Sequence, residues 1–120
     1  MSIGVWATCA LVGAIGSVLR AESVAAITRK TAAHLPWGTL FVNLVGAFGI
    51  GLLHGSGVGG KLLVVSGAAL LGAYTTFSTW MLETVRIART APLTAAANLC
   101  GPLLLGLALA WLGNAAGKAL

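Results

Sequence analysis

Four long stretches without a charged residue constrain the fold of this 120-residue chain more than any other feature. They cover residues 1–19, 31–60, 62–82 and 90–117, and each can hold the roughly 17 to 25 apolar residues that cross a bilayer as a helix. Only 8% of the residues are charged, whereas a soluble domain carries about 25%. The sequence therefore predicts an integral membrane protein and excludes an ordinary soluble fold.

We place the membrane spans at residues 3–19, 37–54, 62–82 and 93–112, so that residues 1–120 form one all-α domain of four transmembrane helices. Small residues repeat at i+4 in three of these spans and predict closely packed helices. The repeats are Cys9, Gly13 and Ser17, then Ala47, Gly51 and Gly55, then Gly106 and Ala110. Such a bundle leaves no water-filled axis, so any conducting path is expected between the subunits of an oligomer.

The net charge of +5 comes from basic residues that lie at the ends of the apolar stretches. This placement favours loops that set topology and contact lipid headgroups over a nucleic-acid surface. Five basic residues lie on one predicted side of the membrane and two on the other: Arg20, Arg29, Lys30, Arg86 and Arg89 against Lys61 and Lys118. This modest bias predicts that the side with five basic residues lies in the cytoplasm, and it is compatible with insertion in both orientations.

Residues 72–80 read GAYTTFSTW and lie near the middle of the third span. Serine and threonine compete for backbone hydrogen bonds, so this density of hydroxyls predicts a third helix broken near its middle. A broken helix is tolerated in a membrane only where it is buried in protein or lines a wet cavity. Its unpaired carbonyls can hold a cation such as Na⁺, and its half-helix N-terminus attracts anions.

Asn43 shares one helix face with Thr39 and Gly46, because the three are spaced i, i+4 and i+7. An amide is costly in hydrocarbon, so Asn43 is expected to face the bundle or a cavity. Whether it joins helices or forms a functional site stays open from the residues alone. Thr94 and Asn98 have the same spacing, and for them we favour a role in joining helices.

The other polar residues give weaker signals. Arg20, taken alone, is typical of a snorkelling anchor, and Glu83 and Arg86 are spaced to pair on a helix. His34 and His54 are solitary, so neither indicates a metal site. No nucleophile with an adjacent base can be assembled, and the sequence therefore gives no support for an enzyme.

Three motifs in this order carry a resemblance to a known family. They are Gly13-x-x-Gly16-x-x-x-Arg20, then Pro36-x-Gly38-Thr39-Leu40-x-Val42-Asn43-x-x-Gly46, and then Gly72-x-x-Thr75-Thr76-Phe77-Ser78-Thr79 with Glu83. With them the chain resembles, over nearly its whole length, the fluoride channels of the CrcB/Fluc type. The resemblance implies passive export of cytoplasmic fluoride across a bacterial plasma or inner membrane. It also implies an antiparallel, dual-topology dimer with two pores at its interface.

The resemblance further implies roles for individual residues. Asn43 would donate its amide to fluoride, and the rings of Phe77 and Trp80 would present their edges. The remaining pore residues would be Ser78, Thr79 and Thr39, which line a polar track, and Arg20 in the vestibule. Backbone carbonyls of Gly72 and Thr75 from both subunits would hold one structural Na⁺ at the dimer centre.

Three features depart from the family pattern. Trp80 stands where a second phenylalanine is usual, and the fourth span lacks a tyrosine because Tyr74 is the only one in the chain. The charge bias also exceeds what a freely dual-inserting chain needs. The chain is therefore predicted to form either a homodimer or a heterodimer with a paired homologue.

Two other functions stay open beside the channel. A small multidrug exporter is also a small four-helix antiparallel dimer. Its mechanism, however, resembles proton exchange on a carboxylate that lies deep in the first span. Here that span has none, because Glu22 follows Arg20. The second alternative is a membrane assembly factor in which the hydroxyls and asparagines only join helices.

Overall fold

The structure is a computed structural model that describes residues 1–31 and 35–120. The interpretation of His34 therefore lies outside the described residues. Helices are the only regular secondary structure in the described part: α1 (Ile3–Lys30), α2 (Trp37–Gly55), α3 (60–74), α4 (Ser78–Ala88) and α5 (Pro92–Lys118). Because α3 and α4 together form one span, four helical segments are long and apolar enough to cross a membrane.

The third span, Gly60–Ala88, is interrupted between α3 and α4. Helix α3 is itself irregular, because residues Val64–Leu71 form a π-helical stretch before the last α-helical turn. These observations confirm the all-α membrane fold with four spans and a third helix broken near its middle.

Helix α1 continues to Lys30, well past the end of the predicted span at residue 19. Its 28 residues correspond to roughly 42 Å at 1.5 Å per residue, more than the hydrocarbon core of about 30 Å. Charged residues end a membrane span but not a helix, so Arg20 and Glu22 are accommodated within α1. Ser2 begins the helix, since its hydroxyl oxygen accepts a hydrogen bond from the N–H of Val5 at 3.4 Å.

The most extensive helix contact joins α2 and α5, and it is made by glycines of both helices. A Cβ atom at Gly51 would fall on the carbonyl of Ala110, and one at Gly55 on that of Asn114. In return, a Cβ at Gly113 would fall on the carbonyl of Phe48. The predicted close packing through Gly51 is confirmed, and Gly113 extends it to a part of α5 that the repeats did not cover.

Large apolar side chains face outward, as expected where lipid is the solvent. Leu104 is 66% exposed and Trp111 68%, whereas Val42 and Ala95 are the buried hydrophobic residues of the described part. The interior is instead formed by small residues at helix contacts, Gly16, Gly46 and Gly67 among them. Helix contacts therefore depend on close backbone approach rather than on large interlocking side chains.

Candidate functional site

The break in the third span is a short extended segment with defined ends. Thr75 ends α3 with φ −89° and ψ 164°, after its N–H has made a last helical bond to the carbonyl of Leu71 at 3.0 Å. The hydroxyl oxygen of Thr76 then accepts a hydrogen bond from the N–H of Thr79 at 3.3 Å. Thr76 lies one residue before Phe77, the N-cap of α4, and its hydroxyl pairs one of the N–H groups that the first turn of this helix leaves without a helical partner.

Asn43 on α2 binds the break through both ends of its amide. Its Nδ2 donates to the carbonyl of Thr76 at 2.9 Å, and its Oδ1 accepts from the N–H of Thr76 at 2.8 Å. A backbone group freed from its helix is thereby paired inside the bundle, which offsets the cost of leaving it unpaired. The amide nitrogen carries two protons, so one N–H is left for another acceptor.

Several carbonyls lose their helical donors at the break, those of Gly72 and Thr75 among them. The N–H of Thr76, which an uninterrupted helix would direct to Gly72, donates to Asn43 instead. Likewise the N–H of Thr79, four residues after Thr75, donates to the Thr76 hydroxyl. The freed carbonyl of Thr75 accepts from Nη1 of Arg20 at 3.0 Å. Gly72 is exposed, and its carbonyl has a weak contact with the Thr75 hydroxyl at 3.5 Å.

The break opens onto a groove of about 500 Å³ between α2, α3 and α5. Asn43, Phe77 and Trp80 line it together with Gly72 and Thr75. The rings of Phe77 and Trp80 pack edge to face, with 5.8 Å between their centroids and an angle of 90° between their planes. We call this space the break groove. It is largely apolar, with one amide, two threonines and two aromatic rings at the break.

Thr39 lies outside the break groove. Its hydroxyl donates to Oε1 of Glu83 at 2.6 Å, and it lines a second cavity of about 330 Å³ with Glu83 and Arg86. Glu83 thus bonds to α2, and within residues 1–31 and 35–120 it forms no ion pair with Arg86. The predicted shared face of α2 is confirmed, because Thr39, Asn43 and Gly46 contact successive parts of the third span.

Arg20, Ser78 and Thr79 do not line the break groove in a single chain. Arg20 is half-buried and reaches the break from α1 through the Thr75 carbonyl. Ser78 and Thr79 are exposed on the first turn of α4. The structure therefore brings together Asn43, Phe77, Trp80, Gly72 and Thr75. Of the other predicted pore residues, Thr39 is buried against the third span, Arg20 is half-buried, and Ser78 and Thr79 are exposed.

Two contacts near the site were not predicted from the sequence. The hydroxyl of Tyr74 donates to the hydroxyl of Ser23 at 3.0 Å, which joins the end of α3 to α1. The indole N–H of Trp80 donates to the carbonyl of Asn98 at 2.6 Å. The sequence does carry a signal for the second contact, because Pro102 stands four residues after Asn98 and cannot donate to it.

A comparison with known families identifies the chain's relatives. A family model described as "CrcB-like protein, Camphor Resistance (CrcB)" matches residues 7–114. The chain belongs to the CrcB family. The motifs around Arg20, Asn43 and Thr75 all lie inside the matched region, so the resemblance stated from them is confirmed.

Curated CrcB relatives match along most of the chain. The chain is 44% identical over 114 residues to "Fluoride-specific ion channel FluC 2" of Mycolicibacterium paratuberculosis. The aligned region covers 94% of this chain and 93% of that protein. It is 44% identical over 102 residues to "Fluoride-specific ion channel FluC 1" of Rubrobacter xylanophilus, in an alignment that covers 83% of this chain and 82% of that protein. It is 41% identical over 119 residues to the FluC 1 protein of Symbiobacterium thermophilum, with 93% and 96% covered.

Proposed function

We propose that this protein is the subunit of a fluoride channel that lets cytoplasmic fluoride leave a bacterial cell passively through the plasma or inner membrane. Three observations support the proposal: membership of the CrcB family, relatives named as fluoride-specific ion channels, and a broken span beside an open groove. These names agree with transport rather than enzymatic catalysis.

The observation that carries the proposal is the attachment of Asn43 to the break. The two bonds to Thr76 fix the amide beside the Phe77 and Trp80 rings. Fluoride is small and strongly hydrated, so a path must replace its water with close donors. The remaining N–H of Asn43 and the positive edges of the two rings are donors of that kind.

A second subunit is required to close the path. In one chain the break groove is open on its outer side, and Phe77 is 69% exposed at its edge. An antiparallel second copy, or a paired homologue, would cover the groove within the lipid bilayer. Arg20, Thr39, Ser78 and Thr79 lie off the groove in one chain, so their proposed roles in the vestibule and polar track depend on this assembly.

A structural sodium ion at the dimer centre is part of the same proposal. The carbonyls of Gly72 and Thr75 have lost their helical N–H donors, and oxygens of this kind can bind a hard cation. In one chain the Thr75 oxygen accepts from Nη1 of Arg20, so the guanidinium would have to leave or share that oxygen when the ion binds. Residues 72 and 75 of both subunits would hold the ion. Its positive charge would favour an anion nearby, and Arg20 adds charge of the same sign at Thr75.

A membrane assembly factor is the second candidate, and the observed role of the asparagines favours it. Asn43 joins α2 to the break, and the Asn98 amide joins α5 to Thr84 on α4 at 2.8 Å, as expected for helix-joining residues. An assembly factor would use these bonds only to hold helices together. It would pass no ion.

Efflux from liposomes separates these functions. The purified chain, reconstituted alone, is expected to release fluoride down its gradient with little release of chloride, measured with ion-selective electrodes. Chloride release as fast as fluoride would contradict the channel proposal. Absence of any release from a correctly folded dimer would favour the assembly factor or a heterodimer, which co-reconstitution with a paired homologue distinguishes.

A further inference from the structure

Pro102 interrupts the hydrogen-bond ladder of α5 at a position that faces the third span. Proline has no N–H, so the carbonyl four residues earlier, that of Asn98, loses its helical donor. The indole N–H of Trp80 donates to that carbonyl, with 2.6 Å between nitrogen and oxygen. A side chain of the third span therefore replaces the backbone donor that the fourth span lacks.

A second connection between the same two residues passes through Thr84. The Asn98 amide donates to the Thr84 hydroxyl at 2.8 Å, and that hydroxyl donates to the Trp80 carbonyl at 2.8 Å. Trp80 and Asn98 are thus joined directly and through Thr84. A closed network of this kind, with each donor directed to one acceptor, restricts the orientation of the indole ring.

The orientation of Trp80 decides which of its groups the break groove receives. The ring lines the groove beside Phe77 and meets it edge to face, and Pro102 lines the same groove. The indole N–H, the strongest donor on the side chain, is already engaged by Asn98. The groove therefore receives the carbon edge of the ring and not the N–H.

We propose that Pro102, Asn98 and Thr84 are positioning residues that lock Trp80, so that α5 sets the geometry of the aromatic pair and withholds the indole N–H from the permeating ion. The nature of that ion rests on the proposed function. The lock itself does not, since it consists of contacts within one chain. We refer to it below as the tryptophan lock.

A double-mutant cycle tests the lock without any ion. Trp80→Phe removes the N–H and leaves the Asn98 carbonyl unpaired, so we expect its melting temperature in detergent to fall by about 5 °C. In a Pro102→Ala background the new backbone N–H serves that carbonyl, and the same substitution is expected to cost less than half as much. Trp111→Phe, on an exposed tryptophan of α5, is the control and should be insensitive to residue 102. An equal loss from Trp80→Phe in both backgrounds would overturn the lock.

The indole N–H also gives a direct spectroscopic signature. The chain has four tryptophans, and selective ¹⁵N labelling resolves their side chains by NMR. The signal lost in Trp80→Phe is expected furthest downfield, because its hydrogen bond is short. Adding sodium fluoride should leave it in place. A Trp80 signal at the position of the other three, or one that moves strongly with fluoride, would contradict the assignment.

Ion selectivity then tests the positioning role. Thr84→Val keeps the shape of the side chain, lies outside the groove and breaks both of its bonds in the lock. The ratio of fluoride to chloride efflux is expected to fall about tenfold, as misplacement of a positioned group commonly costs that much or more. Thr94→Val is the matched control, because Thr94 is exposed on α5 and, unlike Asn98, does not have, in the described part of the chain, the helix-joining bond expected from its spacing. A folded Thr84→Val protein with the wild-type ratio of fluoride to chloride efflux would refute the positioning role.

The tryptophan lock and the proposed function can fail separately. If the wild-type chain passes no fluoride, the proposed function fails, while the melting and NMR results still decide the lock.

Discussion

Asn43 replaces a backbone partner at the break of the third span. Its amide pairs with both the N–H and the carbonyl of Thr76, and these bonds hold an extended segment inside a helical bundle. Arg20 does the same for the Thr75 carbonyl, and Trp80 for the carbonyl of Asn98. At the scale of single residues, polar side chains here serve groups that would otherwise be unpaired in a medium without water.

Thr39 allows a test of this residue-scale role. The Thr39→Val variant removes the hydroxyl that donates to Glu83, so a part-buried carboxylate loses a hydrogen bond. We expect a loss of about 1–3 kcal/mol in unfolding free energy, the usual cost of leaving such a group unpaired. Equilibrium unfolding in detergent measures it.

Thr28→Val is the matched control for this change. Thr28 lines the same cavity, but its side chain is exposed. The control is expected within about 0.5 kcal/mol of the wild type, as for most surface substitutions. Equal losses in the two variants would show that the Thr39–Glu83 bond contributes nothing.

Helices α2 and α5 show how the elements are held together. Their contact depends on glycines whose missing side chains let each backbone touch the other, and carbonyls occupy the positions that Cβ atoms would take. Lipid tails are as apolar as leucine side chains, so burying such side chains does not drive helices together in a membrane. The close approach of two backbones does, because it adds dispersion contacts. The break groove lies beside this contact, so its width depends on how closely α2 and α5 approach.

A glycine substitution at this contact tests the packing of the two elements. The methyl group of Gly51→Ala would overlap the carbonyl of Ala110, and the helices would have to separate. We expect a loss of roughly 1–3 kcal/mol, typical of overpacking. Gly101→Ala on α5 meets no neighbour within 4 Å and should be neutral or more stable by up to about 1 kcal/mol. Thermal unfolding of both variants checks this, and equal effects would contradict the packing account.

Much of the element-scale structure could be predicted from local patterns. Charge-free stretches locate the four spans, and the hydroxyl cluster of residues 75–79 locates the break, because both signals lie in neighbouring residues. The length of α1 could not be predicted in this way, because charged residues end a membrane span without ending the helix. The pairings of Asn43 with Thr76 and of Trp80 with Asn98 depend on how distant helices align, which single-residue patterns do not contain.

At the scale of the whole molecule, one chain presents an incomplete site. The break groove is open, Phe77 is largely exposed, and the predicted sodium ligands lie at the break beside it. The proposed dimer would close the groove and supply a second pair of carbonyls. We therefore expect the purified protein to have twice the 12.0 kDa of one chain when its mass in detergent is measured by light scattering. A monomer that conducts fluoride would contradict the proposed arrangement.

Removal of sodium is the second prediction at this scale. If the Gly72 and Thr75 carbonyls of two subunits hold Na⁺, replacing it with the bulky N-methylglucamine cation should weaken the dimer. Ligand linkage gives a loss of about 2.7 kcal/mol when the sodium had been present at 100 times its dissociation constant. Subunit-exchange rates measured by fluorescence transfer report the change, with K⁺ as the comparison. Identical exchange in all three cations would remove sodium from the dimer.

Fluoride efflux through the Asn43→Asp variant, measured beside the wild type in liposomes, tests the central claim most directly. Aspartate keeps an oxygen for the N–H of Thr76, but it has no N–H for the Thr76 carbonyl or for the anion, and it places a negative charge where the anion is expected. Our account predicts a folded dimer whose fluoride efflux is lower by roughly 100-fold or more, the equivalent of about 3 kcal/mol. Wild-type efflux from a folded Asn43→Asp dimer would contradict a path along the break groove.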